Sequence, residues 1–128
     1  MSEPIHQEVV VKANAQRIYQ TLIDAKQFSA FTGAPAEISL EAGGAFSMFG
    51  GMISGRNIEL MSGQRVVQAW RAGNWAEGIY SIVRFELKTV GADTLLVLDQ
   101  TGFPAEARED LEKGWPKMYW EPMIKYLA

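Results

Sequence analysis

The spacing of apolar positions changes twice along this chain of 128 residues, and the changes separate three parts. In the first part, a β-branched run predicts a strand at 5–12, and apolar residues at helical spacing predict a helix at 15–23 that Asn14 would cap. A second short helix is predicted at 24–31, because turn signals follow it. The apolar residues that these two helices would pack inside are Ile18, Tyr19, Leu22, Ile23, Phe28 and Phe31.

The second part has the two-residue period of half-buried strands, interrupted by glycine-containing turns. The predicted strands span residues 37–40, 45–49, 52–61, 64–71, 79–88 and 94–101. In the clearest strand, three apolar side chains alternate with three charged ones, namely Val83, Phe85 and Leu87 with Arg84, Glu86 and Lys88. The turns at Ser62 and Gly63 and around Gly91 fit hairpins, so consecutive strands are expected to pair antiparallel.

The third part returns to the period of a helix, which predicts one long amphipathic helix at 105–127. Two prolines interrupt it. Pro116 and Pro122 each remove a backbone hydrogen bond at a cost of about 3 kcal/mol, so a kink or break is expected after Gly114.

The side chains of this helix are expected to divide between a core stripe and a free aromatic surface. The predicted stripe consists of Leu111, Trp115, Met118, Pro122 and Tyr126, with Met123, Ile124 and Leu127 beside it. A regular helix cannot turn all three of its neighbouring large aromatic residues towards one core, so some aromatic surface should stay free for a partner. These three residues are Trp115, Tyr119 and Trp120.

This order of elements predicts an α+β fold. A curved antiparallel sheet of six to seven strands would wrap around the long C-terminal helix, with two short helices after the first strand. A hydrophobic fraction of 48% suits one core, because a chain of this length buries roughly two-thirds of its surface. We therefore expect a single domain over residues 1–128.

Composition limits the chemistry that the chain can perform. It has no cysteine, and its one histidine, His6, lies near the terminus with no predicted partner of metal-ligand chemistry. These counts exclude disulfide scaffolds, cysteine-based zinc sites and thiol nucleophiles. Glu106, Glu109 and Asp110 lie where a helix begins, where solvated negative charge is favourable. Asp99 lies on a strand whose buried face the alternation leaves open. No catalytic residue, metal site or cofactor is therefore assigned.

Charge and hydropathy limit the partners and the location. The net charge is -3 and the basic residues are scattered, so nucleic acid is not an expected partner. The longest uncharged stretch, residues 42–55, is rich in glycine and shorter than the roughly 20 apolar residues of a membrane-spanning helix. The first residues lack the basic and apolar regions of a signal peptide. We expect a cytoplasmic protein without a membrane contact, as a monomer or weak homodimer.

Five short motifs occur in an order that chance rarely produces: Gly43-Gly44-Ala45-Phe46, Trp70-Arg71, Asn74-Trp75-Ala76-Glu77-Gly78, Gly102-Phe103-Pro104 and Gly114-Trp115. With them, the chain from about residue 5 to its end resembles the C-terminal domain of the activator of heat shock protein 90 ATPase. That domain belongs to the START-like superfamily with the helix-grip fold, also called SRPBCC. The resemblance implies the same fold and a contact with heat shock protein 90.

A helix-grip fold would create a lining between the sheet and the long helix. On the strand at 64–71, alternation puts Gln68 and Trp70 on the face expected to look inward. Gln68 would then need a partner, which could be a side chain, a water or a ligand. Trp75 lies in a loop-like segment, from which its ring could stack on a ligand or pack over the barrel end. The predicted ligand-binding residues are Phe46, Met48, Gln68, Trp70, Trp75, Met118 and Tyr119, although an ordinary core uses the same residue types.

Two functions of different classes follow. The first is a non-enzymatic module that holds a small hydrophobic or aromatic molecule between sheet and helix. The second is a co-chaperone-like protein that binds heat shock protein 90 and modulates its ATPase. The residue pattern favours ligand binding. An enzyme of the START-like cyclase or dehydratase kind stays in reserve, because it needs placed acid or base groups and the sequence nominates none.

Overall fold

The elements follow one another in the order that the sequence predicts. A computed structural model describes residues 3–128. Its helices and strands are β1 (Ile5–Val11), α1 (Ala15–Ile23), α2 (Ala25–Thr32), β2 (Ala36–Ile38), β3 (Ala45–Met48), β4 (Ile53–Met61), β5 (Arg65–Ala72), β6 (Ser81–Val90), β7 (Asp93–Thr101), α3 (Arg108–Gly114) and α4 (Glu121–Leu127). Single 3₁₀ turns lie at Phe49–Gly51 and Ala105–Ala107, and a π-helical stretch, Trp115–Trp120, joins α3 to α4. The predicted α+β class, with its long C-terminal helix, is confirmed.

The strands form one antiparallel sheet with seven members in the spatial order β1-β7-β6-β5-β4-β3-β2. From β2 to β7 each strand pairs with its neighbour in sequence, as the hairpin turns predict. The first strand, β1, instead pairs with β7, from Ile5 opposite Gln100 to Val11 opposite Thr94. The edges of the sheet are therefore β1 and β2.

The two-residue period of the strands decides which face of the sheet is buried. The inner face is mostly apolar, and its buried members include Val66, Trp70, Val83, Phe85, Leu87, Leu96 and Leu98. Charged residues of the same strands, such as Arg84 and Lys88, lie on the outer face, as predicted. In β7 the structure places Gln100 on the inner face and Asp99 on the outer one.

The two short helices, α1 and α2, pack against one side of the sheet and contribute to the core. The side chain of Asn14 caps α1, because its Oδ1 accepts a hydrogen bond from the amide of Arg17 at 2.8 Å. Phe28 and Phe31 of α2 are buried, and their rings lie edge-on to the ring of Tyr119 in the C-terminal helix. Both features agree with the sequence-based expectation.

The prolines produce a π-helical turn in the C-terminal helix, and the chain stays helical beyond Gly114. Of the predicted kink or break, the break is therefore wrong, while the irregularity begins directly after Gly114, as predicted. In this turn the amide of Glu121 donates to the carbonyl of Pro116, five residues back. Pro116 has no N–H for the carbonyl of Glu112, and the side-chain amide of Gln7 on β1 donates to that carbonyl at 3.0 Å. A side chain of the sheet thus replaces a missing helical hydrogen bond.

The π-helical turn also changes which side chains face the core. Its wider turn brings residues five apart towards one face, and Trp115, Tyr119 and Trp120 are only 2%, 4% and 5% exposed. The prediction that part of this aromatic surface stays free is wrong. Met118 and Tyr126, predicted for the core stripe, are 42% and 37% exposed, because the buried stripe shifts at the π-helical turn.

Candidate functional site

A groove of about 480 Å³ lies at one end of the sheet, against the C-terminal helix. It is formed by the turn between β3 and β4, the β5–β6 loop, the approach from β7 to α3, and one face of the C-terminal helix. Clefts of this volume with mostly apolar walls are typical of small-molecule sites. The apolar and aromatic residues of the walls include Phe49, Ile53, Trp70, Trp75, Leu111, Trp115 and Tyr119.

The mouth of the groove has an apolar side and an acidic side. Met52 and Met118 line it, and both side chains are exposed. Glu106 and Asp110, also exposed, supply the carboxylates. Flexible thioether side chains adapt to differently shaped groups, while two carboxylates repel an anion. The groove is therefore suited to neutral or cationic apolar groups.

A chain of side-chain hydrogen bonds fixes the aromatic wall. The indole Nε1 of Trp115 donates to Oε1 of Gln100 at 2.9 Å, and Nε2 of Gln100 donates to the Ser81 hydroxyl at 3.0 Å. That hydroxyl donates to the backbone carbonyl of Trp70 at 2.8 Å. Because these residues are buried, the network ties the helix to β7, β6 and β5 without competition from water.

Two buried polar atoms of this wall, Nε1 of Trp70 and the hydroxyl of Tyr119, lie close to each other and have no other hydrogen-bond partner among residues 3–128. Burial raises the pKa of Tyr119 well above its ordinary value, and the nearby Trp70 indole N–H lowers that pKa only in part. The Tyr119 hydroxyl is therefore neutral at physiological pH. Buried polar atoms nearly always have partners, so a pair beside a groove with no partner except each other is unusual.

The β5–β6 loop holds Trp75 over the groove. Nη2 of Arg71 donates to the carbonyl of Trp75 at 2.7 Å, and the guanidinium lies 5.8 Å from the ring centre of Tyr80. The ring centre of Trp75 then lies 5.8 Å from that of Trp70. Arg71 thus positions an aromatic side chain that the loop alone would leave free to move.

The structure places four of the predicted ligand-binding residues in the groove and three outside it. Those that line the groove are Trp70, Trp75, Met118 and Tyr119. Phe46, Met48 and Gln68 are buried in the core and do not belong to the lining. Gln68 lies one row further from the strand end than Trp70, whereas Phe46 shares a row with Trp70, and Met48 shares a row with Ile53 of the lining.

Gln68 faces inward, as the alternation predicts, but its neighbour is another core amide. Its Nε2 donates to Oδ1 of Asn57 at 3.1 Å, and Nδ2 of Asn57 donates to the carbonyl of Ser39 at 2.8 Å. The side-chain oxygen of Gln68 has no partner among residues 3–128. Of the alternatives that the sequence leaves open, the structure favours the core amide.

Sequence reasoning did not include Phe49 or Trp115 among the ligand-binding residues, although both line the groove. Phe49 directly follows β3 and begins the 3₁₀ turn with a φ of 54°, in the left-handed region, and its ring lines the groove. Only the Gly50-Gly51 pair behind it indicated a bend. Trp115 lies four residues before Tyr119, and this spacing on one helix face was the available signal.

His6 belongs to a ladder of charges on the outer face of the sheet. Its Nδ1 lies 2.7 Å from Asp99 and its Nε2 lies 2.8 Å from Glu8. The sequence-based view that His6 has no such partner is wrong, because the pairing of β1 with β7 puts Asp99 directly opposite.

Hydrogen bonds to Asp99 and Glu8 raise the pKa of His6. Burial acts to raise the pKa of Asp99, but hydrogen bonds from His6 and Arg84 outweigh it and hold that pKa below its usual value.

The residues that the structure describes contain neither a membrane-spanning helix nor a metal-binding cluster. No helix within residues 3–128 is long and apolar enough to cross a membrane. In the same range, no group of three or more His, Asp or Glu side chains could hold a metal ion. The titratable residues that line the groove are Glu106, Asp110 and Tyr119.

Comparison with protein families gives a match over most of the chain. Residues 12–128 fit the family described as Activator of Hsp90 ATPase homolog 1-like protein. An activator of 90 kDa heat shock protein ATPase homolog from Dictyostelium discoideum is 35% identical over 100 residues, which cover 77% of this chain and 26% of that protein. Homolog 2 from Mus musculus is 29% identical over 117 residues, which cover 91% of this chain and 35% of that protein. The chain thus spans about a third or less of these relatives.

Comparison with solved structures gives the same fold. The structure of an HSP90 activator from Plasmodium falciparum matches with a TM-score of 0.91 and 24% identity. The match covers 95% of this chain and 94% of that chain. At this identity the likeness shows the fold alone.

Proposed function

This chain belongs to the family of Activator of Hsp90 ATPase homolog 1-like proteins, and on that premise we propose that it binds heat shock protein 90 and modulates its ATPase. The family match over residues 12–128 carries the proposal. Two relatives named as activators of that ATPase align with 77% and 91% of the chain. Family membership thus favours chaperone binding over the small-molecule binding that the residue pattern favours.

The packing of the helix on the sheet supports a docking function. Besides the Trp115–Gln100 hydrogen bond, Nε1 of Trp120 donates to Oε1 of Gln7 on β1 at 2.8 Å. Two indoles thus fasten the helix to the neighbouring strands β7 and β1. A rigid surface loses little conformational freedom when it binds, so more of the contact energy appears as affinity. We expect one domain that acts as a monomer or weak homodimer.

An anisotropy titration tests this proposal. The chain, labelled with a fluorophore, is titrated with purified heat shock protein 90 of the same organism, and unlabelled chain serves as competitor. The expected result is saturable binding that the competitor reverses. No saturable binding up to roughly 100 μM chaperone would overturn the proposal, since such an interaction is weaker than a functional partner requires. The rate of ATP hydrolysis in the same mixtures tests modulation separately.

A second candidate function rests on the groove. The Trp70 and Tyr119 donors, which have no partner except each other among residues 3–128, lie in the groove wall beside about 480 Å³ of space. A ligand of matching chemistry is a small aromatic or hydrophobic molecule with one neutral oxygen acceptor. Both residues line the groove although these two atoms are buried, so we propose that such a ligand reaches them when the side chains around them shift. The function is retention of that molecule without chemical conversion.

Native mass spectrometry tests this second candidate. The protein purified from its own host is weighed under native conditions and again after denaturation. A stoichiometric extra mass that Tyr119→Phe diminishes would support a bound ligand. A bare chain in both the wild type and the variant would count against it. The Met48→Leu variant serves as a control, because Met48 is buried outside the groove.

A further inference from the structure

The outer face of the sheet divides into two halves of different chemistry. Strand register aligns Ala45, Arg56, Ala69, Ile82 and Thr101 in one row across five strands. Beside this row, Arg71 of β5 lies opposite Ser54, and its guanidinium lies over the ring of Tyr80. We call the set Arg56, Ala69, Arg71, Tyr80 and Ile82 the outer-face patch.

The arginines of the outer-face patch differ from those of the other half of the face in their partners. Arg65 is 2.6 Å from Glu86 and 3.1 Å from Glu59, and Arg84 is 3.0 Å from Asp99. These cations are neutralised within the sheet. In this half of the outer face, the arginines therefore pair with carboxylates of the sheet itself.

In the outer-face patch, by contrast, the two arginines form no ion pair within residues 3–128. Within residues 3–128, neither Arg56 nor Arg71 has a carboxylate oxygen within 4.0 Å. Arg56 donates to the carbonyl of Gly43 at 3.0 Å, and Arg71 donates to loop carbonyls. A carbonyl satisfies a donor but leaves the positive charge uncompensated. An acidic partner could therefore bind both cations.

The outer-face patch also exposes apolar surface between its two cations. Tyr80 is 49% exposed and Ile82 is 44% exposed, and the small side chain of Ala69 leaves the row between Arg56 and Ile82 shallow. Tyrosine and arginine beside exposed aliphatic surface are the residue types that dominate binding energy in protein interfaces. The mouth of the groove, with Glu106 and Asp110, has the opposite charge.

We propose that the outer-face patch docks on an acidic segment of heat shock protein 90 that carries an apolar side chain between its carboxylates. This inference rests on the proposed chaperone binding and names the surface that performs it. The partner's carboxylates pair with Arg56 and Arg71, and its apolar side chain packs on Ile82 and Tyr80. The charge of the patch selects an acidic segment over a basic one.

Three variants test the surface. Arg56→Glu reverses the charge of the patch, and Ile82→Ser removes its apolar centre without changing charge. Lys88→Glu is the matched control, because Lys88 is exposed on the same face of β6, about 20 Å from Ile82, and makes no ion pair within residues 3–128. The anisotropy titration with purified heat shock protein 90 measures each dissociation constant, and thermal unfolding verifies that each variant is folded.

The expected result is a rise in the dissociation constant of about tenfold or more for Arg56→Glu and Ile82→Ser, and of about twofold or less for Lys88→Glu. If the wild type binds and all three variants bind equally well, the chaperone proposal stands and the docking surface is wrong. An equal loss in all three variants would show that the effect is not confined to the outer-face patch, and it would also overturn the surface. Absence of wild-type binding overturns both proposals.

Discussion

The indole Nε1 of Trp115 lies 2.9 Å from the side-chain oxygen of Gln100, and this hydrogen bond fastens the C-terminal helix to β7. Both residues are buried, so no water can take the place of either partner. Gln100 also donates to Ser81 at 3.0 Å, which extends the connection into β6. One amide side chain thus holds the helix and two strands together at the wall of the groove.

Replacement of Gln100 by leucine should lower the free energy of unfolding by about 1–3 kcal/mol, because the buried Trp115 N–H loses its acceptor. Urea denaturation of the wild type and of Gln100→Leu measures the difference. Thr101→Val is the control, since Thr101 is exposed and next in sequence. A loss in Gln100→Leu no larger than in the control would mean that the hydrogen bond contributes nothing to stability.

Removal of the Tyr119 hydroxyl should have the opposite consequence for stability. Apart from the nearby Trp70 indole N–H, this hydroxyl has no partner among residues 3–128, so Tyr119→Phe loses at most that contact and removes a buried polar group. The free energy of unfolding should stay the same or rise by up to about 1 kcal/mol. A fall of more than about 1 kcal/mol in urea denaturation would show that the hydroxyl has a partner in solution.

Gly55 lies where β4 and β5 approach closely. A Cβ added to Gly55 would lie 1.7 Å from the carbonyl oxygen of Ala69 and 2.9 Å from the ring of Phe46. Gly55→Ala should therefore destabilise the protein by about 3 kcal/mol or more. Gly73→Ala is the matched control, because its nearest atom would be 3.5 Å away, and it should change stability by less than about 1 kcal/mol. Equal thermal midpoints for the two variants would contradict this packing.

The stability contribution of His6 should depend on pH. Its folded-state pKa lies above the ordinary value of 6.5, because it donates hydrogen bonds to Asp99 and Glu8, so the folded state holds the proton more tightly. The stabilisation of the folded state by protonated His6 is therefore complete below about pH 6.5 and is lost as the pH rises through the folded-state pKa. The difference in denaturation midpoint between wild type and His6→Gln should shrink between about pH 6 and pH 9. An NMR titration that gives a His6 pKa of 6.5 or lower would contradict this account.

Local patterns predicted most of the fold because they report the environment of each residue. The alternation of Val83, Phe85 and Leu87 with charged residues placed β6 correctly, and Asn14 marked the start of α1. The prolines predicted an irregularity after Gly114 but not that the chain stays helical there, since the donor to the Glu112 carbonyl comes from Gln7, 105 residues away in sequence.

The candidate site was harder to predict, because whether an inward-facing residue lines the groove depends on how far along its strand it lies. Alternation assigns Gln68 and Trp70 to the same inner face, but only Trp70 reaches the groove at the strand end. The contact of His6 with Asp99 spans 93 residues and follows from the pairing of β1 with β7. Such relationships follow from topology and register, which a single stretch of sequence does not contain.

The most direct test of the central claim is a two-dimensional amide NMR spectrum of the ¹⁵N-labelled chain during titration with unlabelled heat shock protein 90. We predict loss of intensity first at the amides of Arg56, Ala69 and Ile82, while the indole signals of the buried Trp115 and Trp120 keep their positions. A spectrum that stays unchanged in excess chaperone would contradict the proposed function. Changes confined to the residues of the groove would contradict the outer-face patch as the docking surface.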